Sequence, residues 1–222
     1  MPSERFNRLP DEKKQRIIEK CFEEFSSNNY RDASLSKLVK ELQIAKGSIY
    51  KYFKNKEDVY FYLIEKASST KLNHIEKQIR KNYTPESDLL WATIFEGNIF
   101  DVENKLIAKF LIRVLDDNND YFEFDMREKI LLRSYDLIFN YVETQQRNNK
   151  LRTDIDVLTI THFINTIVSN VGILLARKSK QELNEYLDNS YIIRDLETNQ
   201  ISTNMTDGLR QIYNLLLNGI KT

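Results

Sequence analysis

Residues 45 to 56 read Ala-Lys-Gly-Ser-Ile-Tyr-Lys-Tyr-Phe-Lys-Asn-Lys, a run of small, aromatic and cationic side chains without a carboxylate. Hydroxyl and ammonium groups donate to phosphates and base edges, and a residue with no side chain lets a helix approach closely. A short helix carrying that set suits the major groove of DNA, which admits one helix and displays hydrogen-bonding edges. Catalysis has much less to work with. The chain holds two histidines, His74 and His162, one cysteine, no His-Glu-x-x-His and no glycine-rich phosphate loop. No catalytic residue, metal or cofactor is therefore expected. The paired carboxylates Asp116-Asp117 and Asp154/Asp156 read as helix ends.

The elements that must hold this helix are legible around it. Ser34 stands where its hydroxyl can cap a helix whose buried stripe is Leu35, Leu38, Val39 and Leu42. Gln43 and Ile44 form a turn. The next helix runs from Ala45 to about Phe53, with Ile49 and Phe53, four apart, facing inward. Tyr50, Lys51, Tyr52 and Lys54 are then left outward. Upstream, Pro10 suits a first helical turn. Ile17, Ile18, Cys21, Phe22 and Phe25 give residues 10 to 27 an amphipathic stripe. Asn29 is placed to end that helix in the left-handed conformation. So small a core needs help from Phe6, Leu9 and the start of the following helix.

Charge is divided along the chain although its formal sum is zero. Residues 1 to 56 carry 13 basic and 8 acidic side chains, and the remaining residues carry 20 and 25. A basic head on an acidic body is the asymmetry expected if the head alone meets phosphate. With five glycines and three prolines in 222 residues, long segments run unbroken and a nearly all-helical chain follows. Cys21 lies in an apolar stripe as a buried thiol, which fits a cytosolic, cytoplasmic protein without disulfides. The N-terminus lacks a signal-peptide core, and apolar runs such as Gly172 to Ala176 are far too short to span a membrane.

Beyond residue 56 the periodicity predicts helices over 56–81, a break at Pro85, then helices near 86–100, 103–115 and 121–148. A helix over 154–178 is apolar around much of its circumference, which marks it as buried or as a subunit interface. A last helix covers 204–219, and the pattern over residues 191–203 is ambiguous between helix, strand and loop.

The stretch Lys46-Gly47-Ser48-Ile49-Tyr50-Lys51-Tyr52-Phe53-Lys54-Asn55-Lys56-Glu57-Asp58-Val59 resembles the glycine, small hydroxyl, aliphatic, Tyr-x-Tyr-Phe-x-x-Lys-Glu pattern of the tetracycline-repressor (TetR) family of bacterial one-component regulators. The resemblance is specific over roughly residues 10 to 65. It departs at Gln43 and Asn29, where the family usually has glycine, and mild backbone strain is expected there. The resemblance implies an all-α fold. Residues 1–55 would form an N-terminal three-helix DNA-binding head with a helix-turn-helix. Residues 56–222 would form a larger C-terminal helical domain that dimerises and binds an effector. On that resemblance Lys46, Gly47, Ser48 and Lys51 touch bases. Tyr50 and Tyr52 reach phosphates or a thymine, Ser34 and Ser36 contact the sugar-phosphate backbone, and Lys56 meets a phosphate at a helix N-terminus.

Its partners would be double-stranded DNA with a palindromic operator, a second copy joined through the helices near 154–178 and 204–219, and an unidentified small molecule. The commoner outcome in the family is repression. Trp91, Phe95, Phe100, Phe110, Tyr135, Phe139, His162 and Phe163 are the aromatic and polar groups available to line a pocket. His162, flanked by apolar residues, is read as a core histidine in preference to a handle for an acidic ligand. Two other readings stay open: a protein-interaction module that uses the same head without DNA, and an all-helical enzyme.

Overall fold

The computed structural model describes residues 2–84, 88–116, 126–195, 198 and 200–221; the side chains of Lys46, Asp116, Leu183, Arg194 and residues 126–133 lie outside the description. Pro85 and the expected starts of the 86–100 and 121–148 helices fall among residues not described.

The head opens with a one-turn helix α1 (Glu4–Asn7), which the sequence pattern did not mark, followed by α2 (Asp11–Ser27), α3 (Leu35–Glu41) and α4 (Lys46–Tyr52). Pro10 precedes α2, and Asp11 and Glu12 occupy its first turn, where carboxylates favour the positive end of the helix dipole. Asn29 is not left-handed. Asn28 ends α2 in an extended conformation, and the Asn29 Oδ1 accepts from the Asp32 N–H at 3.0 Å, so the asparagine builds a side-chain turn instead.

The long α5 (Lys56–Asn82) links head and body. The head core joins Ile17, Cys21, Phe25, Leu38 and Ile49 to Val59, Tyr60, Leu63, Ile64 and Ala67 of α5. Residues Phe110, Leu111 and Val114 of α7 (Lys105–Asp116) complete it. The body adds α6 (Leu89–Glu103) and α8 (Met126–Arg147). Its own core joins Leu90, Ile94 and Ile99 to Ile138, Ile160, Ile164, Leu209 and Leu216.

The apolar run near 154–178 is two helices, α9 (Val157–Ser169) and α10 (Val171–Lys178), bent by 51°. The break follows from Asn170, whose amide donates to the Thr166 carbonyl at 2.8 Å and whose N–H turns back to Ile167 at 3.0 Å. Asp156 caps α9 by accepting from the Thr159 N–H at 2.9 Å. After α11 (Leu183–Asp188), residues 191–203 resolve into an antiparallel hairpin, β1 (Ile192–Arg194) with β2 (Ile201–Thr203), registered Ile193 opposite Ser202. Thr203 hooks this hairpin to α6 by donating its hydroxyl to the Asn98 Oδ1 at 2.9 Å. The last helix, α12, spans Thr206–Ile220. Apart from this small hairpin the architecture is helical, as expected. No single helix among the described residues is long and apolar enough to cross a membrane.

Candidate nucleic-acid interface

Four residues between α3 and α4 make the turn, and Gln43 sits in it at φ 55°. The Ile44 N–H donates to the Val39 carbonyl at 3.3 Å and the Gln43 N–H to the Lys40 carbonyl at 3.1 Å. That pair is a Schellman closure, the helix ending that usually takes glycine. The strain expected at Gln43 is therefore present, at a cost of about 1 kcal/mol for a residue with a side chain. Ser34 caps α3, accepting from the Lys37 N–H at 3.3 Å.

α4 is held from one side and open on the other. Ile49, Tyr52 and Phe53 are buried, an i, i+3, i+4 stripe facing the head core. Tyr50 is 52% exposed, Gly47 and Lys51 are exposed and Ser48 is partly so. Lys46 opens the helix, but its side chain lies outside the described residues. Ser36 is exposed on the first turn of α3. Gly47, Ser48, Tyr50, Lys51 and Ser36 thus lie on accessible parts of the helix-turn-helix, with no carboxylate on α4.

Two expectations are corrected. Tyr52 is 7% exposed, not outward. α1 accounts for this, because its Phe6 packs on the Tyr52 ring at 5.8 Å and on Phe53 at 4.9 Å. Ser3 completes the join. It donates its hydroxyl to the Lys51 carbonyl at 2.7 Å and its N–H to the Tyr52 carbonyl at 2.8 Å, satisfying the end of α4.

Lys56 does not present a free ammonium. It donates to the carbonyls of Arg31 and Ala33, both at 3.0 Å, and lies 4.8 Å from the centre of the Tyr30 ring. Burial lowers its pKa, while Asp32 and Glu24 oppose that shift. Two of its three protons are spent on the α2–α3 loop, so it holds the loop that presents α3. The N-terminus of α5 is instead capped by Asn55, which accepts from the Asp58 N–H at 2.8 Å.

Sequence reasoning missed Glu24. Its side chain is buried, accepts from the Ser34 N–H at 2.8 Å and pairs with Lys37 at 3.0 Å, fixing the start of α3 to α2. A carboxylate inside an apolar stripe, next to Phe25, was the available signal.

Below the head, α5, α6, α7, α8 and the α9–α10 junction surround a cavity of about 120 Å³. Ser68, Lys71, Leu72, Thr93, Gly97, Asn98, Asp101, Ile112, Leu115, Ile138 and Gly172 are among its walls. Lys71 grips both oxygens of Asp101 at 2.7 and 2.8 Å. Burial raises the pKa of Asp101 and the Lys71 charge pulls it back.

Residues 17–63 match the sequence model for bacterial regulatory proteins of the tetR family. An HTH-type transcriptional regulator of Staphylococcus aureus strain bovine RF122 is 25% identical over 160 residues, 68% of this chain and 84% of that protein. A TetR family transcriptional regulator from Chloroflexus aurantiacus superposes with a TM-score of 0.69 at 24% identity, covering 100% of this chain and 99% of the other. Residues 17–63 are therefore a tetR-family helix-turn-helix segment, and the chain as a whole shares the fold of TetR-family regulators, an N-terminal helix-turn-helix head with a helical C-terminal domain. The SmeT–triclosan complex shares the fold, with a TM-score of 0.67 at 14% identity over 96% of this chain and 93% of that one.

None of the eight aromatic and histidine candidates lines the cavity. Phe110 is core, edge-on to Phe22 at 5.2 Å and to Tyr60 at 5.7 Å. Trp91 stacks on Phe95 at 5.6 Å, meets Tyr213 at 5.5 Å and carries the Arg210 guanidinium at 4.5 Å, so it joins α6 to α12. Tyr135 and Phe139 stack on each other at 6.4 Å. His162 is neither core nor cavity but exposed. The helical angle explains the miss. On α6 the cavity takes Thr93, Ile94, Gly97, Asn98 and Asp101, and on α8 Ser134, Leu137 and Ile138. The aromatics sit on neighbouring faces. The sequence signal was Gly97-Asn98 inside an apolar run, with Asp101 one turn on.

Proposed function

We propose that this chain is a dimeric TetR-family repressor that reads a palindromic operator and is released from it by a small molecule bound in the body. The observation that carries the DNA reading is the two-sided α4: Ile49, Tyr52 and Phe53 anchor it, while Gly47, Tyr50 and Lys51 stay exposed. Lys51, Ser48, Gly47 and Lys46 are assigned to base edges, and Tyr50, Ser34 and Ser36 to the backbone. Lys56 and the Tyr52 ring act by positioning. Residues 1–55 serve as the DNA-binding head and 56–222 as the effector and dimerisation part, acting in the cytoplasm.

Dimerisation through α9, α10 and α12 is supported by apolar side chains left uncovered there. Leu215 is 78% exposed and Phe163 46%, with Leu158 and Leu174 also exposed. A second copy covering these side chains would remove apolar surface from water, and to read a palindrome the pairing must hold two α4 helices roughly 34–36 Å apart, one turn of B-DNA. The effector reading is supported by the body's cavity and by a solved neighbour that carries triclosan.

Selection of bound sequences from a random duplex pool tests this function. An inverted repeat should be recovered, bound by a dimer with affinity falling steeply as salt rises. Lys51→Ala should relax discrimination at particular base pairs by about 1–3 kcal/mol. A pool that yields no enriched sequence would sink the reading and favour a protein-interaction role for the head.

A further inference from the structure

The charges on the cavity wall cancel, because Lys71 and Asp101 hold each other at 2.7 and 2.8 Å. Thr93, Asn98, Ser134 and Ser169 on the same wall also have partners. Ser68 differs. It is 7% exposed, and its hydroxyl has no hydrogen-bond partner among the described residues. It lies one turn before Lys71 on α5, on the face that lines the cavity. A buried hydroxyl without a partner is unfavourable until a polar atom reaches it.

We infer that the cavity takes an uncharged, mainly apolar small molecule whose one carbonyl or hydroxyl oxygen pairs with Ser68. This deepens, and rests on, the reading of the cavity as the effector site. An anionic guest at Lys71 must displace Asp101 and strand a carboxylate among Leu72, Ile112 and Ile138. A cationic guest at Asp101 strands the ammonium. The pair is partly buried, the two side chains being 29% and 16% exposed, and removing one partner leaves the other charge poorly compensated, which is unfavourable. A neutral guest leaves the pair whole. At about 120 Å³ the space approaches the roughly 150 Å³ that accommodates benzene, so a guest of about six to eight non-hydrogen atoms fits.

Four cycloalkane probes of about seven or eight non-hydrogen atoms test this on the full chain by isothermal titration: cyclohexanone, methylcyclohexane, cyclohexylammonium and cyclopentanecarboxylate. Cyclohexanone should bind at least tenfold tighter than either ion. Ser68→Ala should weaken cyclohexanone about tenfold, the size of one net hydrogen bond, and leave methylcyclohexane unchanged or tighter. Should that variant fail to fold, Ser68→Cys gives the same readout, a thiol being a weak hydrogen-bonding group. Asp101→Asn leaves Lys71 uncompensated and should improve cyclopentanecarboxylate at least tenfold.

Tighter binding of either ion to the wild-type chain overturns the inference. So does an unchanged ketone-to-hydrocarbon ratio in both Ser68 variants, or binding of no probe at all. Operator binding is measured on the same preparations without probes. If it is retained while the probes fail, this inference falls and the DNA reading stands; if it is absent, the DNA reading itself fails.

Discussion

Gly47→Ala separates what the fold needs at the start of α4 from what DNA needs. Gly47 has no positive φ, and an added Cβ would meet nothing within 4 Å. Judged on the protein alone, alanine should be the better residue. Glycine in a helix interior costs roughly 0.5–1 kcal/mol relative to alanine. At the second position of a seven-residue helix, about 0.5 kcal/mol is a fair expectation, which corresponds to a rise in Tm of about 1–2 °C for a chain of this length. Operator binding should move the other way. A methyl group at the point where α4 approaches the base edges must push the helix outward. Losing one good base contact costs about 2 kcal/mol, or roughly thirtyfold in affinity. Thermal denaturation gives the first quantity, and fluorescence anisotropy on the selected operator and on a scrambled duplex, at one salt concentration, gives the second. The expected pattern is a slightly more stable protein with a weakened operator complex and little change on scrambled DNA. An alanine variant that binds its operator as tightly as the wild type refutes the placement of Gly47 against the bases.

Three further outcomes follow from the packing. Gln43→Gly should stabilise the chain by about 0.5–1 kcal/mol in chemical denaturation, since it relieves the left-handed residue in the turn; a destabilised variant would mean that the Gln43 side chain makes an interaction worth more than the strain. Phe110→Ala should cost about 3–5 kcal/mol, as for a fully buried aromatic, and it should change cyclohexanone affinity little in whatever fraction stays folded. Cys21 is buried and its thiol is pushed up to about 12 by that burial. Its protonated form therefore dominates at neutral pH, and labelling by a thiol reagent at pH 8 should become fast only when denaturant unfolds the chain.

The head was legible because its signals are local. Ser34, the Leu35–Leu42 stripe and the Ile49/Phe53 pair each follow from spacings within one or two turns, and the structure bears them out. Tyr52 and Lys56 were misread because their surroundings come from elsewhere in the chain. Phe6 and Ser3 reach the end of α4 across 46 and 48 residues, and the carbonyls that hold Lys56 lie 25 and 23 residues back. Periodicity reports which side chains share a face. It does not report what another segment lays against that face. The cavity was missed for a related reason: aromatic side chains fill space, so they mark where helices close together, whereas a cavity remains where a wall is made of Ser68, Thr93, Gly97 and Ser134. The break at Asn170 and the hairpin of 192–203 depend on particular polar contacts that composition does not reveal.

The arrangement of α7 bears on how a guest in the body can affect the head at all. Ala108, Ile112 and Leu115 face the cavity, while Phe110 and Val114 belong to the head core; Leu111 does both. Arg113 adds a polar tie, its Nε donating to the Ser26 carbonyl at the end of α2 at 2.8 Å. A ligand changes an equilibrium only by the difference in its affinity for the two forms. A hundredfold loss of operator affinity therefore requires about 2.7 kcal/mol of that difference. A guest of about seven non-hydrogen atoms has at most about 10 kcal/mol to give, taking the ceiling of roughly 1.5 kcal/mol per atom. A quarter or more of its binding energy must then be sensitive to the position of the walls. Gly172 leaves room for Ile112 on the opposite wall, since a Cβ built on Gly172 would lie 3.2 Å from the Ile112 Cδ1. A guest that needs more room than the present cavity must displace a wall, and a displacement of α7 acts directly on Phe110 and on the Arg113–Ser26 tie. On the proposed effector reading, the fit of a guest against α7 converts occupancy into a changed head, and the Ser68 hydroxyl selects which molecule occupies the site.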